Sequence, residues 1–251
     1  MKHIIAFLAI FFACGLPAQA DVTKAYCTQG RGDVLVLVDV TTQLDQASLR
    51  IIGGLVDRAM QAAGAGDRLQ IRTIEDRYTS SRTLFDGCKP GCRETGLTVA
   101  CTEAVARNDM TGFQATLITA LQPLRDSRDL AASEIIMTIA SLAQPRRDGR
   151  TLRMFLFSDL IEHSEFVRAP ADVGRLNGAD YVRALPVAVT RLRQAGYAPN
   201  LSGAPVVVRG FGRFHDPARS RLPIGPTLDL RRAWVGFFQS LGAAEVDIGF
   251  D

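Results

Sequence analysis

The chain has 251 residues, of which 47% are hydrophobic and 22% are charged, a composition that can bury one sizeable core. Its 29 basic and 26 acidic side chains leave a net charge of only +3, and the arginines are spread along the whole chain. Because proteins that bind nucleic acids usually concentrate basic residues in one stripe, we expect no nucleic-acid partner.

The first twenty residues have the pattern of an export signal. They contain a positive start (MKH), an apolar segment at 4–13 and a small-residue cleavage site, PAQA, at 17–20. The apolar segment is about half as long as a helix that crosses a bilayer. We therefore expect cleavage after Ala20 and a periplasmic or secreted mature chain, 21–251, that forms one domain without a membrane span. Lipid attachment at Cys14 is the alternative.

Four cysteines remain after cleavage: Cys27, Cys88, Cys92 and Cys101. An even number of cysteines in an exported chain favours two disulfides. A zinc site is the rival interpretation, because three residues separate Cys88 from Cys92, a spacing found in zinc sites. The three histidines do not cluster along the sequence, however, and an oxidising compartment disfavours thiolate ligands.

Hydrophobic patterns predict strands and helices that alternate along the mature chain. The first strand is the apolar, β-branched run at Val34–Val38, and apolar residues at helical spacing follow it. The predicted strands are 34–38, 68–76, 81–88, 152–159, 204–214 and 244–250, and the predicted helices are 48–64, 113–124, 133–144, 181–196 and 229–242. This alternation predicts an α/β fold with a doubly wound, mainly parallel sheet flanked by helices, in which 81–88 turns back as a short edge strand.

Two of the predicted strands end in an aspartate. Asp39 ends the first strand and precedes Thr41, Thr42 and Gln43, while Asp159 ends the strand at 152–159. An aspartate after a strand often caps the next helix through its side-chain oxygen. Ligands of open parallel sheets, however, bind beyond the carboxyl ends of the strands. Two such aspartates, one with hydroxyls behind it, favour a shared polar site.

The order of elements, with the motif DVTTQ at 39–43 after the first strand and FSDL at 157–160 after a central one, resembles the von Willebrand factor type A fold. The segments SDLIEHS at 158–164 and CKPG at 88–91 also resemble a group of exported bacterial proteins of this fold. In the family, a first-strand loop Asp-x-Ser-x-Ser, a hydroxyl from a middle loop and an Asp after the fourth strand hold a divalent cation, usually magnesium.

The resemblance implies a metal site of five residues in this chain. Asp39 and Thr41 take the first and third motif positions, and Asp159 takes the place of the second carboxylate. Gln43 stands at the fifth position, where the family has Ser, so the motif is degenerate. Ser133 is the best candidate for the middle hydroxyl. Thr111, in the segment NDMTG, is the second choice for that role.

The resemblance also implies a pairing of the cysteines. The third strand of the type A fold runs antiparallel and returns to the end of the sheet where the first strand begins. This places Cys88 near Cys27 and leaves Cys92 to pair with Cys101.

The function that the resemblance implies is a non-enzymatic protein-interaction or adhesion domain. Its magnesium ion would join the chain to a carboxylate of a protein partner in the cell envelope. The alternative is a phosphoryl-transfer hydrolase of the haloacid dehalogenase type that uses Asp39 as its nucleophile. Such enzymes need a second Asp two residues on, where this chain has Thr41. His163, near Asp159, is a further candidate base or ligand, although a solvated loop histidine is the simpler interpretation.

Overall fold

The computed structural model describes residues 24–92, 102–144, 149–167, 177–213 and 224–249. The predicted signal peptide, 1–20, and Cys101 lie outside these ranges. Within them, no helix combines the length and the apolar character that crossing a membrane requires.

Six strands and five α-helices lie within the described residues. The strands are β1 (Gly32–Asp39), β2 (Arg68–Ile74), β3 (Thr83–Cys88), β4 (Thr151–Phe157), β5 (Pro205–Arg209) and β6 (Glu245–Ile248). The helices are α1 (Gln46–Ala62), α2 (Glu103–Ala120), α3 (Ile135–Leu142), α4 (Gly178–Gln194) and α5 (Ile224–Ser240).

The strands form one sheet in the order β3-β2-β1-β4-β5-β6. All neighbouring strands are parallel except β2 and β3, which are antiparallel, so the predicted α/β class and edge strand are confirmed. All eight residues of β1 are buried. Helices α1 and α2 cover the face that carries Val34 and Val36, while α3, α4 and α5 cover the face that carries Leu35 and Leu37.

The second helix differs most from its prediction. It begins at Glu103 instead of 113 and ends at Ala120, before a short 3₁₀ helix at Gln122–Asp126. Its buried residues, Ala106, Phe113 and Leu117, are few, so the polar first half has little apolar periodicity to reveal it. Strand β5 is shorter than predicted, because Gly210 takes a positive φ of 86° directly after Arg209 and turns the chain away.

A disulfide joins Cys27 to Cys88, which confirms the first predicted pairing. Cys88 ends β3 opposite Arg68, the first residue of β2, so the bond lies at the end of the sheet where β1 begins. Cys92 is also disulfide-bonded. The predicted Cys92–Cys101 pairing involves a residue outside the described ranges and stays a prediction. Disulfides are typical of proteins that fold outside the cytoplasm.

The topology leaves a crevice at the carboxyl ends of β1 and β4. From β1 the chain runs into α1 on one face of the sheet, and α4, the next helix that the described residues show after β4, packs on the opposite face. Because β1 and β4 are adjacent parallel strands, the two loops that follow them separate at this point. Ligands of doubly wound folds bind at such a crevice.

Candidate functional site

Asp39 is the centre of a cluster of hydroxyl groups at the end of β1. Its side chain is buried, and its Oδ1 accepts hydrogen bonds from the backbone N–H of Thr41 at 3.1 Å and from the Thr41 hydroxyl at 2.6 Å. The other oxygen, Oδ2, accepts from the hydroxyls of Ser158 at 2.8 Å and Ser133 at 3.4 Å. Three side-chain hydroxyls from three loops therefore converge on one carboxylate.

The loop before α3 is held against the loop after β4. Ser133 and His163 exchange two backbone hydrogen bonds, of 3.2 and 3.0 Å, as an isolated antiparallel bridge. This bridge fixes the backbone of Ser133 and lets its hydroxyl reach Asp39. The half-buried His163 thus contributes its backbone to the site.

Asp159, the second carboxylate, follows Ser158 and is half-buried. Its Oδ1 accepts a hydrogen bond from the backbone N–H of Ile161 at 2.9 Å. Burial raises the pKa of Asp159, and the negative charge of Asp39 raises it further. Burial also raises the pKa of Asp39, against the hydrogen bonds from Thr41, Ser158 and Ser133. The two carboxyl groups therefore resist carrying two negative charges together, and a proton or a cation relieves their repulsion.

The loop that carries Asp159 has an unusual backbone. Leu160 is fully buried and takes a left-handed conformation, with φ of 63°, which is uncommon for a residue other than glycine. Its N–H donates to the Ser158 hydroxyl oxygen at 2.9 Å, and its carbonyl oxygen accepts from the indole Nε1–H of Trp234 at 2.9 Å. Helix α5 therefore fixes the turn that orients Asp159.

Two of the predicted residues lie away from the cluster. Gln43 is exposed, and its side chain makes no hydrogen bond with the cluster; its backbone N–H donates to Asp129 at 2.9 Å. Thr111, the second choice for the middle hydroxyl, lies on the exposed side of α2 and donates to the Arg107 carbonyl oxygen. The structure thus brings together Asp39, Thr41, Ser133 and Asp159 and leaves Gln43 outside.

Two residues near the site were missed at the level of sequence. Ser158 was read only as part of the FSDL motif, although its hydroxyl bridges Asp39 and the backbone of Leu160. Glu162 lies within the segment SDLIEHS and was not singled out, yet it is fully buried. Its Oε2 accepts from the backbone N–H of Ile136 at 2.9 Å, in the first turn of α3. The apolar neighbours Leu160 and Ile161 were the available signal.

The hydrogen bonds of the Glu162 carboxyl group do not offset the cost of burying its charge. Its Oε1 is buried without a hydrogen-bond partner in the described part of the chain. Burial raises the pKa of Glu162 to about 8, against hydrogen bonds from the Ser164 side chain and from the backbone of Ile136. At neutral pH this side chain therefore favours the protonated form.

Among the described residues, no group of three or more His, Cys, Asp and Glu side chains is arranged to hold a metal ion. The cluster around Asp39 instead offers two carboxylates together with hydroxyls. All its donor atoms are oxygens, the type that Mg²⁺ and Ca²⁺ prefer. With few carboxylates, Mg²⁺ sites keep several water ligands.

No protein-family model and no curated protein matches the chain.

Proposed function

We propose that the chain is an exported, non-enzymatic protein-interaction domain of the von Willebrand factor type A kind, dependent on a divalent cation. The cluster around Asp39 holds the ion, and the ion binds a carboxylate of a protein partner in the cell envelope. The observation that carries the proposal is the convergence of Asp39, Thr41, Ser133 and Asp159 at the carboxyl ends of β1 and β4.

The residues present fit a hard cation such as Mg²⁺. Asp39 and Asp159 supply negative charge that is unfavourable without a counter-charge, and the hydroxyls of Thr41 and Ser133 supply neutral oxygens. Ser158, which bridges Asp39 and Leu160, orients the first carboxylate. Four protein ligands leave room in an octahedral shell for water and for one oxygen of a partner.

The disulfide pattern supports export. The bond between Cys27 and Cys88 and the bonded state of Cys92 are what an oxidising compartment produces. This agrees with the export signal at 1–20 and with a mature chain that works in the periplasm or outside the cell.

Thr41 favours binding over hydrolysis at Asp39. A hydrolase of the haloacid dehalogenase type needs a second carboxylate two residues after its nucleophile, and this chain has Thr41 at that position. The residue at the position of the general acid, Thr41, uses its hydroxyl to donate to Asp39 at 2.6 Å. A hydroxyl is too weak an acid to serve as the proton donor of such a hydrolase.

The test compares the immobilised mature chain with its Asp159→Asn variant in an extract of envelope proteins. We expect a protein that the wild-type chain retains in Mg²⁺ and releases in EDTA, and that the variant does not retain. A panel of phosphate esters serves as the second arm, on which we expect no turnover. Identical retention with and without Mg²⁺ contradicts the proposal, and turnover that Asp39→Asn abolishes establishes the hydrolase instead.

A further inference from the structure

Helices α4 and α5 lie side by side and run in the same direction. Their first turns are in close contact, since a Cβ on Gly178 would come within 2.4 Å of the Pro226 carbonyl oxygen. At their last turns, Arg193 donates a hydrogen bond of 3.4 Å to the Ser240 carbonyl oxygen. Between these two contacts the helices border a groove on the outer surface.

The groove has a volume of about 500 Å³, and its lining combines small or apolar residues with two arginines. Small or apolar residues line its middle, among them Pro186 and Thr190 from α4 and Gly236 from α5. Arg193 and Arg232 are the charged residues of the lining, which contains no carboxylate. A Cβ on Gly236 would meet no atom within 4 Å, so there is open space above this residue.

Exposed apolar side chains are concentrated on the same two helices. Of the six large hydrophobic residues that are exposed in the described part of the chain, four lie on α4 or α5. They are Val182, Val187, Ile224 and Leu228. Val182 lines the groove, and Leu228 lies one helical turn before Arg232. Such a concentration of exposed apolar surface is typical of an interaction site.

The charge of this surface selects an acidic partner. Helices α4 and α5 together carry five arginines and two aspartates. Arg193 has no carboxylate partner among the described residues and donates only to the Ser240 carbonyl oxygen. Arg232 is 78% exposed and contacts Asp229 at 3.4 Å, a pairing that contributes little at the surface. Both guanidinium groups therefore remain available to carboxylates of a bound molecule.

The open shape of the groove favours a helix over a small molecule. Small-molecule sites bury most of the ligand surface, which a groove along the outside of two helices does not. An amphipathic helix, in contrast, can insert its apolar face between two helices and leave its polar face in water.

We propose that the α4–α5 groove binds an acidic amphipathic helix of a partner protein. Aliphatic side chains of that helix pack over Pro186, Thr190 and Gly236, and its Asp or Glu residues pair with Arg193 and Arg232. None of these residues belongs to the cluster around Asp39, so the interaction needs no divalent cation. The proposal is therefore independent of the proposed cation-dependent function.

The test is a selection of helix-forming peptides from a display library on the folded chain in EDTA. We expect enriched sequences with aliphatic residues at helical spacing, flanked by Asp and Glu. Their affinity is then measured on two matched variants, Gly236→Leu and Gly112→Leu. Both glycines are exposed in helices and have no atom within 4 Å of an added Cβ, but Gly112 lies on α2. We expect Gly236→Leu to abolish binding and Gly112→Leu to leave it unchanged.

The contribution of the arginine charges is tested with the same enriched peptides. Arg232→Gln should weaken binding about threefold, because the bound peptide loses one ion pair with a largely exposed arginine. The proposal is overturned if the enriched peptides are neutral or basic, if they bind Gly236→Leu as well as wild type, or if no peptide is enriched. It is also overturned if phosphatidylglycerol vesicles bind the chain through Arg193 and Arg232 while acidic peptides do not.

Discussion

The indole Nε1–H of Trp234 donates a hydrogen bond of 2.9 Å to the carbonyl oxygen of Leu160, the residue that follows Asp159 and has a φ of 63°. Both residues are fully buried. A buried carbonyl without a donor is costly, so this hydrogen bond helps to hold Leu160 in its left-handed conformation. Helix α5 thereby controls the orientation of the loop that carries Asp159.

Trp234→Phe should both destabilise the protein and weaken its response to cations. Loss of the indole donor leaves the Leu160 carbonyl unsatisfied, which costs about 1–3 kcal/mol. The Mg²⁺ concentration that gives half of the maximal shift in melting temperature should rise. Phe238→Leu is the control, because the ring centroids of Phe238 and Trp234 lie 5.8 Å apart but Phe238 does not make that hydrogen bond. It should lower stability and leave the half-saturating Mg²⁺ concentration unchanged; equal effects of the two variants would contradict the prediction.

Divalent cations should raise the melting temperature of the wild-type chain. A ligand that binds only the folded state stabilises it by about 2.7 kcal/mol at a hundredfold excess over its dissociation constant. Asp39→Asn should abolish the shift, because it removes one of the two carboxylates. Asparagine is preferable to alanine, which would leave the donors on Thr41, Ser133 and Ser158 without an acceptor.

Gln43→Ala is the matched control for the cation response, because Gln43 is exposed and outside the cluster. The melting temperatures of wild type, Asp39→Asn and Gln43→Ala are measured in EDTA and in Mg²⁺, Mn²⁺ or Ca²⁺. The absence of a shift with every ion in the wild type would exclude the metal site. A shift lost in Gln43→Ala would show that the fifth motif position is a ligand after all.

The cation response should grow as the pH rises. The pKa values of Asp39 and Asp159 are raised in the folded state, so above about pH 4 the folded chain retains protons that the unfolded chain releases. Their contribution is therefore favourable at low pH and is lost as the pH rises toward the folded pKa values. Because a cation competes with these protons, Mg²⁺ should raise the melting temperature more at pH 8 than at pH 5. Equal shifts at both pH values would count against the paired carboxylates.

Glu162→Gln should stabilise the protein at alkaline pH. Burial raises the pKa of Glu162 from 4.5 to about 8, so the wild type loses stability as the pH rises between these values, where the unfolded chain releases a proton that the folded chain retains. Glutamine has the shape of the protonated acid and keeps an acceptor for the Ile136 N–H. In EDTA we expect similar melting temperatures at pH 5 and a gain in the variant at pH 9, on the order of 1–3 kcal/mol. A variant less stable than wild type at pH 9 would refute this account.

Removing the disulfide should lower stability without removing the cation response. The Cys27–Cys88 bond joins residues 61 positions apart, and closing a loop of that size stabilises the fold by about 4 kcal/mol. Urea denaturation of the double variant Cys27→Ser and Cys88→Ser measures the loss. The comparison is the wild-type chain in a strong reductant, which breaks the bond of Cys92 as well as the Cys27–Cys88 bond. An unchanged urea midpoint in the double variant would contradict the estimate.

The sequence predicted the sheet well because strand signals are local. The β-branched run of β1 and the aspartates at two strand ends are visible within a few residues, and a parallel sheet then brings those ends to one edge. The edge strand was visible in the pattern of 81–88, whereas the Cys27–Cys88 pairing followed from the resemblance to one family of folds.

The details of the site were hidden because they depend on contacts between distant residues. Trp234 has the pattern of any apolar helical residue, and its hydrogen bond to a carbonyl 74 positions away has no local signal. Glu162 is a charged residue in a loop, and its burial depends on the packing of α3 against that loop. Gln43 was assigned by its motif position, but the backbone of this loop turns toward Asp129.

Contacts at the two ends of the sheet can form at different stages of folding. The Cys27–Cys88 bond needs only residues up to β3, whereas the Ser158–Asp39 contact joins residues 119 positions apart. The proposed export presents the chain N-terminus first, so that the disulfide can close before β4 is available and β1 then waits for its second neighbour. Contacts of such long sequence separation form slowly. The cluster around Asp39 is thus completed late, which restricts any activity at this site to chains whose folding is finished.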